Sequence, residues 1–203
     1  MALYTQELLA QTLKALMREK KLDSITVQEL VDRAKVNRKT FYYHFHGISD
    51  LVNWLYAAEL SHMIDTKEIS PATWTELFLS IISRIREEST YLRAIIDSGY
   101  GPEFRLSMSH YFDRMLTKFV SAAMKIYEQE HQVTLRLSHM QVNFIIRYYS
   151  MAFYAIVEEW LLKGMKESEH DFVSIMIHLS NDNMYRSFAT MHEENIHSAR
   201  QAD

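Results

Sequence analysis

Residues 25–51 of the 203-residue chain are ITVQELVDRAKVNRKTFYYHFHGISDL, and this stretch decides the fold of the N-terminal part. Its segment TVQE is a capping box, in which Thr26 and the following glutamate satisfy free N–H groups at a helix start. We expect a short helix that ends near Ala34, a turn over residues 35–37, and a second short helix over residues 38–45. A tight turn between two short helices is typical of a helix-turn-helix.

The second short helix is expected to present a cationic and aromatic surface to solvent. Asn37 is its expected cap, and its two phenylalanines form the expected buried side. Arg38 and Tyr42 then lie one turn apart on another face, beside Lys39 and Tyr43. Arginine pairs bidentately with guanine in the major groove, whereas lysine, tyrosine hydroxyls and helix N-termini suit phosphate oxygens. This face therefore indicates contact with DNA.

The composition indicates an all-α protein. Hydrophobic residues make up 48% of the chain, but it holds only four glycines and two prolines, which leaves little room for hairpin turns. The absence of cysteine excludes disulfides and thiolate chemistry and fits a cytoplasmic protein. No apolar run is long enough for a membrane span, and the first residues lack the pattern of a signal peptide.

Apolar periodicity between the glycines and prolines predicts about nine helices. Pro71 and Pro102 are expected at first helical positions, because proline lacks an N–H that would be unpaired there in any case. Ser138 is expected to open the eighth helix through a second capping box. The polar tail after about Met191 is expected to fray.

Charge is distributed unevenly along the chain. Residues 1–50 carry eight lysines and arginines against six acidic residues, whereas residues 51–203 carry fourteen against twenty. The first segment is therefore net +2 and the rest is net −6, which allows a basic face at the N-terminus of an otherwise acidic chain.

The motif TVxxL, followed by AxVxxxTFYYHF and by a leucine at the start of the fourth helix, resembles the DNA-binding domain of the TetR family of transcription regulators. The block Thr40–Phe45, TFYYHF, is highly specific for that family, and the resemblance is strong over residues 5–60. It implies a homodimer that binds double-stranded operator DNA and responds to a small-molecule effector. It also implies a helix-turn-helix domain over residues 1–48, a connecting fourth helix over 49–66, and a helical ligand-binding and dimerisation domain over 67–203.

The resemblance also implies which residues approach the DNA. Four match family positions that approach bases: Gln28, Arg38, Lys39 and Tyr42. Four others match positions that approach phosphates: Thr26, Thr40, Tyr43 and His44. Family members often place a lysine on a phosphate at the start of the fourth helix. This chain has Ile48 there, and His46 or Asn53 are candidates to take over part of that contact.

The predicted eighth helix, which ends at Gly164, is apolar nearly all round and must be covered on more than one side. One cover is the core of its own subunit, and the other is a second subunit. In the family, the last two long helices of each chain form a four-helix interface, which implies a homodimer through helices 8 and 9. A twofold dimer would place two recognition helices roughly 34–36 Å apart on a palindrome.

An effector pocket among predicted helices 5 to 8 is a finer expectation. The candidate lining residues are Trp74, Phe78, Tyr91, Phe104, Met108, Phe112, Arg147 and Tyr148. Methionine and aromatic side chains suit an adaptable cavity, and a polar residue on an apolar helix can anchor a ligand. The same residues also suit an ordinary helical core, so both interpretations stay open.

The run from Tyr148 to Ser168 is similar to TetR-like regulators linked to dihydroxyacetone kinase operons, a branch that includes activators working through a protein partner. One alternative function is therefore a regulator that acts mainly through protein contacts. Another is a metal sensor that holds zinc through histidines and carboxylates. The histidines of the C-terminal half available for that are His139, His170, His178, His192 and His197.

An enzyme is the least supported alternative. Glu167 with His170, and Glu194 with His197, have the Glu-x-x-His spacing of di-iron bundles, but these pairs fall at a helix junction and in a polar tail. Glycine-rich phosphate loops, nucleophile elbows and HExxH motifs are absent from the sequence. We therefore expect no catalytic residue, no cofactor and no bound metal.

Overall fold

The computed structural model describes residues 2–202, without the side chains of residues 2, 59, 181 and 202. This part of the chain is entirely helical, and the predicted number of nine helices is confirmed for it. In chain order the helices are α1 (Ala2–Met17), α2 (Val27–Ala34), α3 (Arg38–His44), α4 (Ile48–Thr66), α5 (Trp74–Glu87), α6 (Ser89–Ile96), α7 (Gly101–His131), α8 (His139–Leu162) and α9 (Glu169–Ala202). A short 3₁₀ turn, Leu22–Ser24, precedes α2.

The chain divides into two compact units. The first contains the chain up to Asp65 together with Glu87–Tyr111, and the second contains Thr66–Arg86 and the chain from Phe112 onward. The expected domains, residues 1–48 and 67–203 with a connecting fourth helix, stay a prediction. By its contacts, the first unit includes α4, α6 and the beginning of α7 as well as the first three helices.

The core of the first unit forms around α1, α2 and α3. Leu9, Leu13 and Leu16 recur along one face of α1 and are fully or almost fully buried. The buried side chains of α2 are Leu30, Val31 and Ala34, and the small alanine fits a position where two helices approach closely. Leu22 is also buried and fixes the unpredicted 3₁₀ turn to this core.

Aromatic side chains from three helices form the core of the second unit. The Trp74 ring of α5 stacks on Phe78, with 5.7 Å between ring centroids and an interplanar angle of 4°. Phe119 of α7 lies 4.5 Å from Trp74, and Phe153 of α8 meets Phe78 edge-to-face at 5.2 Å. Aromatic pairs in these geometries add stabilisation beyond the area they bury.

The expected start of the fifth helix at Pro71 is wrong. Pro71 lies in a turn, and α5 begins at Trp74. Thr73 explains the later start, because its hydroxyl accepts a hydrogen bond from the Ser70 N–H at 3.1 Å and donates one to the Glu68 carbonyl at 2.8 Å. The threonine side chain therefore stabilises a turn that delays the helix.

The expectation of a frayed tail after Met191 is also wrong, because α9 is continuous to Ala202. Two polar side chains of α9 contact the segment before α8 and the first turn of α8. His192 Nδ1 accepts from the Arg136 N–H at 3.0 Å, and the Asn195 amide donates to the Gln141 Oε1 at 2.8 Å. These long-range hydrogen bonds give the polar helix a partner that its own sequence does not reveal.

Candidate nucleic-acid interface

The first helix of the motif begins and ends through identifiable local contacts. Thr26 caps α2, since its hydroxyl accepts a hydrogen bond from the Glu29 N–H at 3.2 Å, as the capping box predicts. At the other end, Lys35 adopts a left-handed conformation with φ of 56°, and the Val36 N–H bonds to the Val31 carbonyl at 3.1 Å. This left-handed residue turns the chain sharply toward α3.

A glycine in place of Lys35 is expected to stabilise the protein. The left-handed region costs an ordinary side chain about 1–2 kcal/mol, and the greater freedom of glycine in the unfolded chain offsets part of that gain. We expect Lys35→Gly to raise the free energy of unfolding in urea by roughly 0.5–1 kcal/mol, and Lys35→Val to lower it. Equal stability of the two variants would contradict the left-handed turn.

The second helix of the motif is anchored by its phenylalanines. Asn37 caps α3 by accepting a hydrogen bond from the Lys39 N–H at 2.8 Å, as predicted. Phe41 is completely buried, and its ring lies 5.8 Å from that of the buried Phe45. Because these two rings hold one side of the short helix in the core, its other sides are fixed toward solvent.

The outward side of α3 carries the predicted cations and phenols. Arg38 and Lys39 are exposed, and the exposed fractions of Tyr42 and Tyr43 are 48% and 82%. The Arg38 guanidinium lies 5.6 Å from the centre of the Tyr42 ring and donates to its hydroxyl at 3.4 Å. This pair presents one guanidinium and one phenol together, which is a donor set suited to base edges and phosphates.

The other predicted contact residues occupy less uniform environments. Gln28 is exposed on α2, and its amide donates to the Asp32 carboxylate at 2.8 Å. Thr40 and His44 of α3 are half-buried, and His44 packs edge-to-face on Tyr43 at 5.0 Å. The sequence did not lead us to expect the Gln28–Asp32 hydrogen bond. The spacing of four residues on one helix is the signal that could have predicted it.

Two other basic residues of this region are held by carboxylates. Arg33 forms a bidentate ion pair with Glu19, with one N–O distance of 2.6 Å, and Lys20 pairs with Glu29. The hydrogen bonds from Arg33 lower the pKa of the exposed Glu19 carboxyl. These cations connect the segment after α1 to α2, whereas Arg38 and Lys39 are exposed to solvent.

The start of α4 departs from a phosphate-binding site. Ile48, which replaces the usual lysine, is only 6% exposed and therefore packs into the core. The exposed His46 lies next to Asp50, with 3.1 Å between its ring Nδ1 and the Asp50 carboxylate. Asn53 donates to the Glu103 carboxylate at 3.2 Å, and its part in replacing the lysine stays a prediction.

The predicted effector residues are divided between the two compact units. In the second unit, Trp74 and Phe78 pack together in the aromatic core, and Phe112 packs on Tyr154 at 5.8 Å. Arg147 and Tyr148 instead lie on an exposed side of α8, where Tyr148 is 69% exposed.

The rest of the predicted effector residues lie in the first unit. Phe104 and Met108 are buried there and Tyr91 is half-buried. The Phe104 ring packs edge-to-face on Tyr56, with 5.6 Å between ring centroids. The effector pocket therefore stays a prediction.

The structure also bears on metal binding and on membranes. Across residues 2–202, apart from the side chains left undescribed, no three histidine or carboxylate side chains come close enough together to hold a metal ion. Over the same range, none of the helices combines the length with the apolar character that crossing a bilayer requires.

A short helix anchored by two buried phenylalanines, with exposed arginine, lysine and tyrosine, defines a helix-turn-helix DNA-binding protein. Two family profiles agree with that class. Residues 9–54 match the profile described as bacterial regulatory proteins, tetR family, and residues 72–182 match a transcriptional regulator C-terminal region. The chain belongs to the TetR family of transcriptional regulators, so it regulates transcription by binding DNA and is not an enzyme.

Individual relatives support the same family. The HTH-type dhaKLM operon transcriptional activator DhaS of Lactococcus lactis subsp. lactis (strain IL1403) is 24% identical over 165 residues, which cover 80% of this chain and 82% of DhaS.

Two solved structures share the fold. The structure of the dihydroxyacetone kinase operon activator DhaS matches with a TM-score of 0.66 and 22% identity over 93% of this chain and 98% of DhaS. NalD of Pseudomonas aeruginosa, the secondary repressor of the MexAB-OprM multidrug efflux pump, matches with a TM-score of 0.51 and 14% identity over 92% and 96%.

Proposed function

We propose that the protein binds a palindromic operator as a homodimer and that a small-molecule effector controls this binding. The observation that carries the proposal is the exposed surface of α3, where Arg38, Lys39, Tyr42 and Tyr43 face solvent on a helix anchored by Phe41. A regulator of this kind acts where the chromosome lies, which is the cytoplasm of a bacterium.

The second unit supports the homodimer. Large apolar side chains are exposed along α8 and α9: Met140, Phe144, Tyr148, Met151, Ile156, Leu162, Ile175 and Leu179. Four of them, Phe144, Tyr148, Ile156 and Leu179, border a groove of about 520 Å³ between these two helices. Contiguous exposed apolar surface of this kind marks an interaction site, and the family resemblance assigns it to a second copy of the chain.

The proposed control acts through the separation of the two recognition helices. An effector that binds better to one conformation of the helical body shifts the population toward that conformation. Rotation of the subunits would then change the distance between the two copies of α3, and with it the affinity for a palindrome. The relatives include one protein described as an activator and one described as a repressor, so either direction of regulation is compatible with the proposal.

Operator binding is tested with DNA from upstream of the protein's own gene and a scrambled fragment, measured by fluorescence anisotropy over a series of salt concentrations. We expect preferential binding of the upstream fragment, with an affinity that falls as salt rises because phosphate contacts release counterions. Arg38→Ala is expected to cost about 1–3 kcal/mol of binding free energy, the value of a bidentate contact to guanine.

Arg200→Ala is the matched control, since Arg200 is an exposed arginine in the last turn of α9. Its affinity for the upstream fragment should equal that of the unchanged protein. Equal losses in the two variants would indicate a general charge effect, and no loss in Arg38→Ala would exclude α3 as the reading helix.

A further inference from the structure

A buried ion pair connects α1 with the residue that precedes α6. The ammonium of Lys14 lies 2.5 Å from the Glu88 carboxylate, and the two side chains are only 12% and 11% exposed. Both residues belong to the first compact unit, and 74 positions of sequence separate them. The helix-turn-helix motif and its DNA-facing side chains make no use of this pair.

Aromatic side chains from two other helices surround the pair. The Lys14 ammonium lies 5.5 Å from the centre of the Tyr56 ring of α4 and 5.4 Å from that of Tyr91 of α6. The Tyr56 hydroxyl also donates to the Glu88 carboxylate at 3.4 Å, and the Arg18 guanidinium lies 5.6 Å from the Tyr91 ring. Helices α1, α4 and α6 therefore meet at one cluster of buried charge.

Stability alone does not explain a buried ion pair. Removing water from two charges costs much of what their attraction returns, and replacing both partners by apolar residues of similar size is often neutral or stabilising. Removing one partner is strongly unfavourable, because the other charge is left buried and uncompensated. A buried pair with defined geometry instead selects one relative arrangement of its helices, because similar arrangements would separate the two charges.

Further polar contacts in the first unit link the segment after α1, and α4, to residues that follow α6. The Asp23 carboxylate, between α1 and α2, accepts a hydrogen bond from the Gly99 N–H at 2.9 Å. The Glu103 carboxylate in the first turn of α7 accepts from Ser49 and from Asn53 of α4. These contacts are exposed and join further parts of the first unit.

We infer that Lys14 and Glu88 are positioning residues for operator binding, because their buried pair fixes the helix-turn-helix against α6 within the first unit. This inference rests on the proposed function, because the arrangement it fixes is the one that presents α3 to DNA. The pair touches no DNA itself and acts through the orientation of α1.

The test compares Glu88→Met with the double variant Lys14→Met/Glu88→Met. Urea unfolding should show a large loss of stability for the single variant and recovery of most of that loss in the double variant, since no charge is then left unpaired. Although its stability is then largely recovered, the double variant should bind the upstream fragment about tenfold more weakly than the unchanged protein. A tenfold change is a typical size for coupling between sites.

A distance measurement makes the test independent of DNA. The chain contains no cysteine, so spin labels can be placed at Lys21→Cys and Leu106→Cys, two exposed positions of the first unit. Labelled subunits are diluted into an excess of unlabelled ones, so that electron–electron resonance reports the distance within one chain. We expect the double variant to broaden or shift this distance distribution.

An unchanged distance distribution in the double variant would overturn the inference, and so would full recovery of operator affinity together with stability. Failure of the unchanged protein to prefer the upstream fragment would instead count against the proposed function. The distance distribution then decides alone whether the pair fixes the residues that follow α1 relative to α7, the helix that follows α6.

Discussion

Replacing Phe41 by alanine is expected to lower the free energy of unfolding by about 3–5 kcal/mol, the usual cost of removing a buried aromatic ring. Phe41 is completely buried, and its ring contacts Tyr42 and Phe45 at 5.3 and 5.8 Å between centroids. Alanine would leave a cavity under α3, and the helix would lose the contact that directs its other face outward. Operator binding should therefore fall with stability, as measured by urea unfolding and fluorescence anisotropy.

Phe41→Leu is the matched control for this prediction. Leucine keeps most of the buried volume and should cost less than about 1.5 kcal/mol. Its operator affinity should stay close to that of the unchanged protein, because the direction of α3 is preserved. A Phe41→Ala variant that unfolded at the same urea concentration as Phe41→Leu would show that α3 is not anchored through this ring.

Introducing glutamate at both Tyr148 and Leu179 is expected to convert the proposed homodimer into monomers. These side chains are 69% and 60% exposed on α8 and α9 of the second unit and border its apolar groove. In a twofold interface each substitution occurs on both copies, so four carboxylates would be buried without partners. That cost is several kcal/mol per ion, which exceeds what most interfaces can absorb.

Sedimentation velocity measures the expected change in mass, and far-UV circular dichroism checks that the helices are retained. The monomer should also bind the upstream fragment weakly, because a single recognition helix reads only one half of a palindrome. Leu106→Glu is the control, since Leu106 is 60% exposed on α7 in the first unit. If the double variant stayed dimeric, the interface would lie elsewhere and the exposed side chains of α8 and α9 would need another partner.

Signals that act over one or two helical turns were sufficient for much of the fold. Thr26, Asn37 and Ser138 cap the helices that they were predicted to cap, and the Ser138 box is complete with Gln141. A cap needs only a side-chain oxygen and a free N–H two or three residues ahead, so sequence spacing decides it. The exposure of Arg38 and Lys39 also followed from spacing, once the phenylalanines of α3 were taken as the buried side.

The expectation of a frayed tail was wrong because the partners of that segment are distant in sequence. The polar end of α9 looked unable to hold a helix, but Asn195 contacts Gln141 across 54 positions. Asn53 also has a distant partner, since its amide donates to Glu103, 50 positions away. Neither contact leaves a periodic pattern in the sequence, because each depends on how separate helices pack.

The sequence by itself determined the helical class, the helix-turn-helix and the chemical character of α3, because these depend on periodicity, caps and a short motif. Only the tertiary structure decided that Ile48 is buried and that Tyr148 is exposed, since burial depends on which neighbours cover a residue. The tertiary structure also brought Lys14 and Glu88 together as a largely buried ion pair. Two charges that look like ordinary surface residues in a linear sequence become a defined pair only when packing removes water from both.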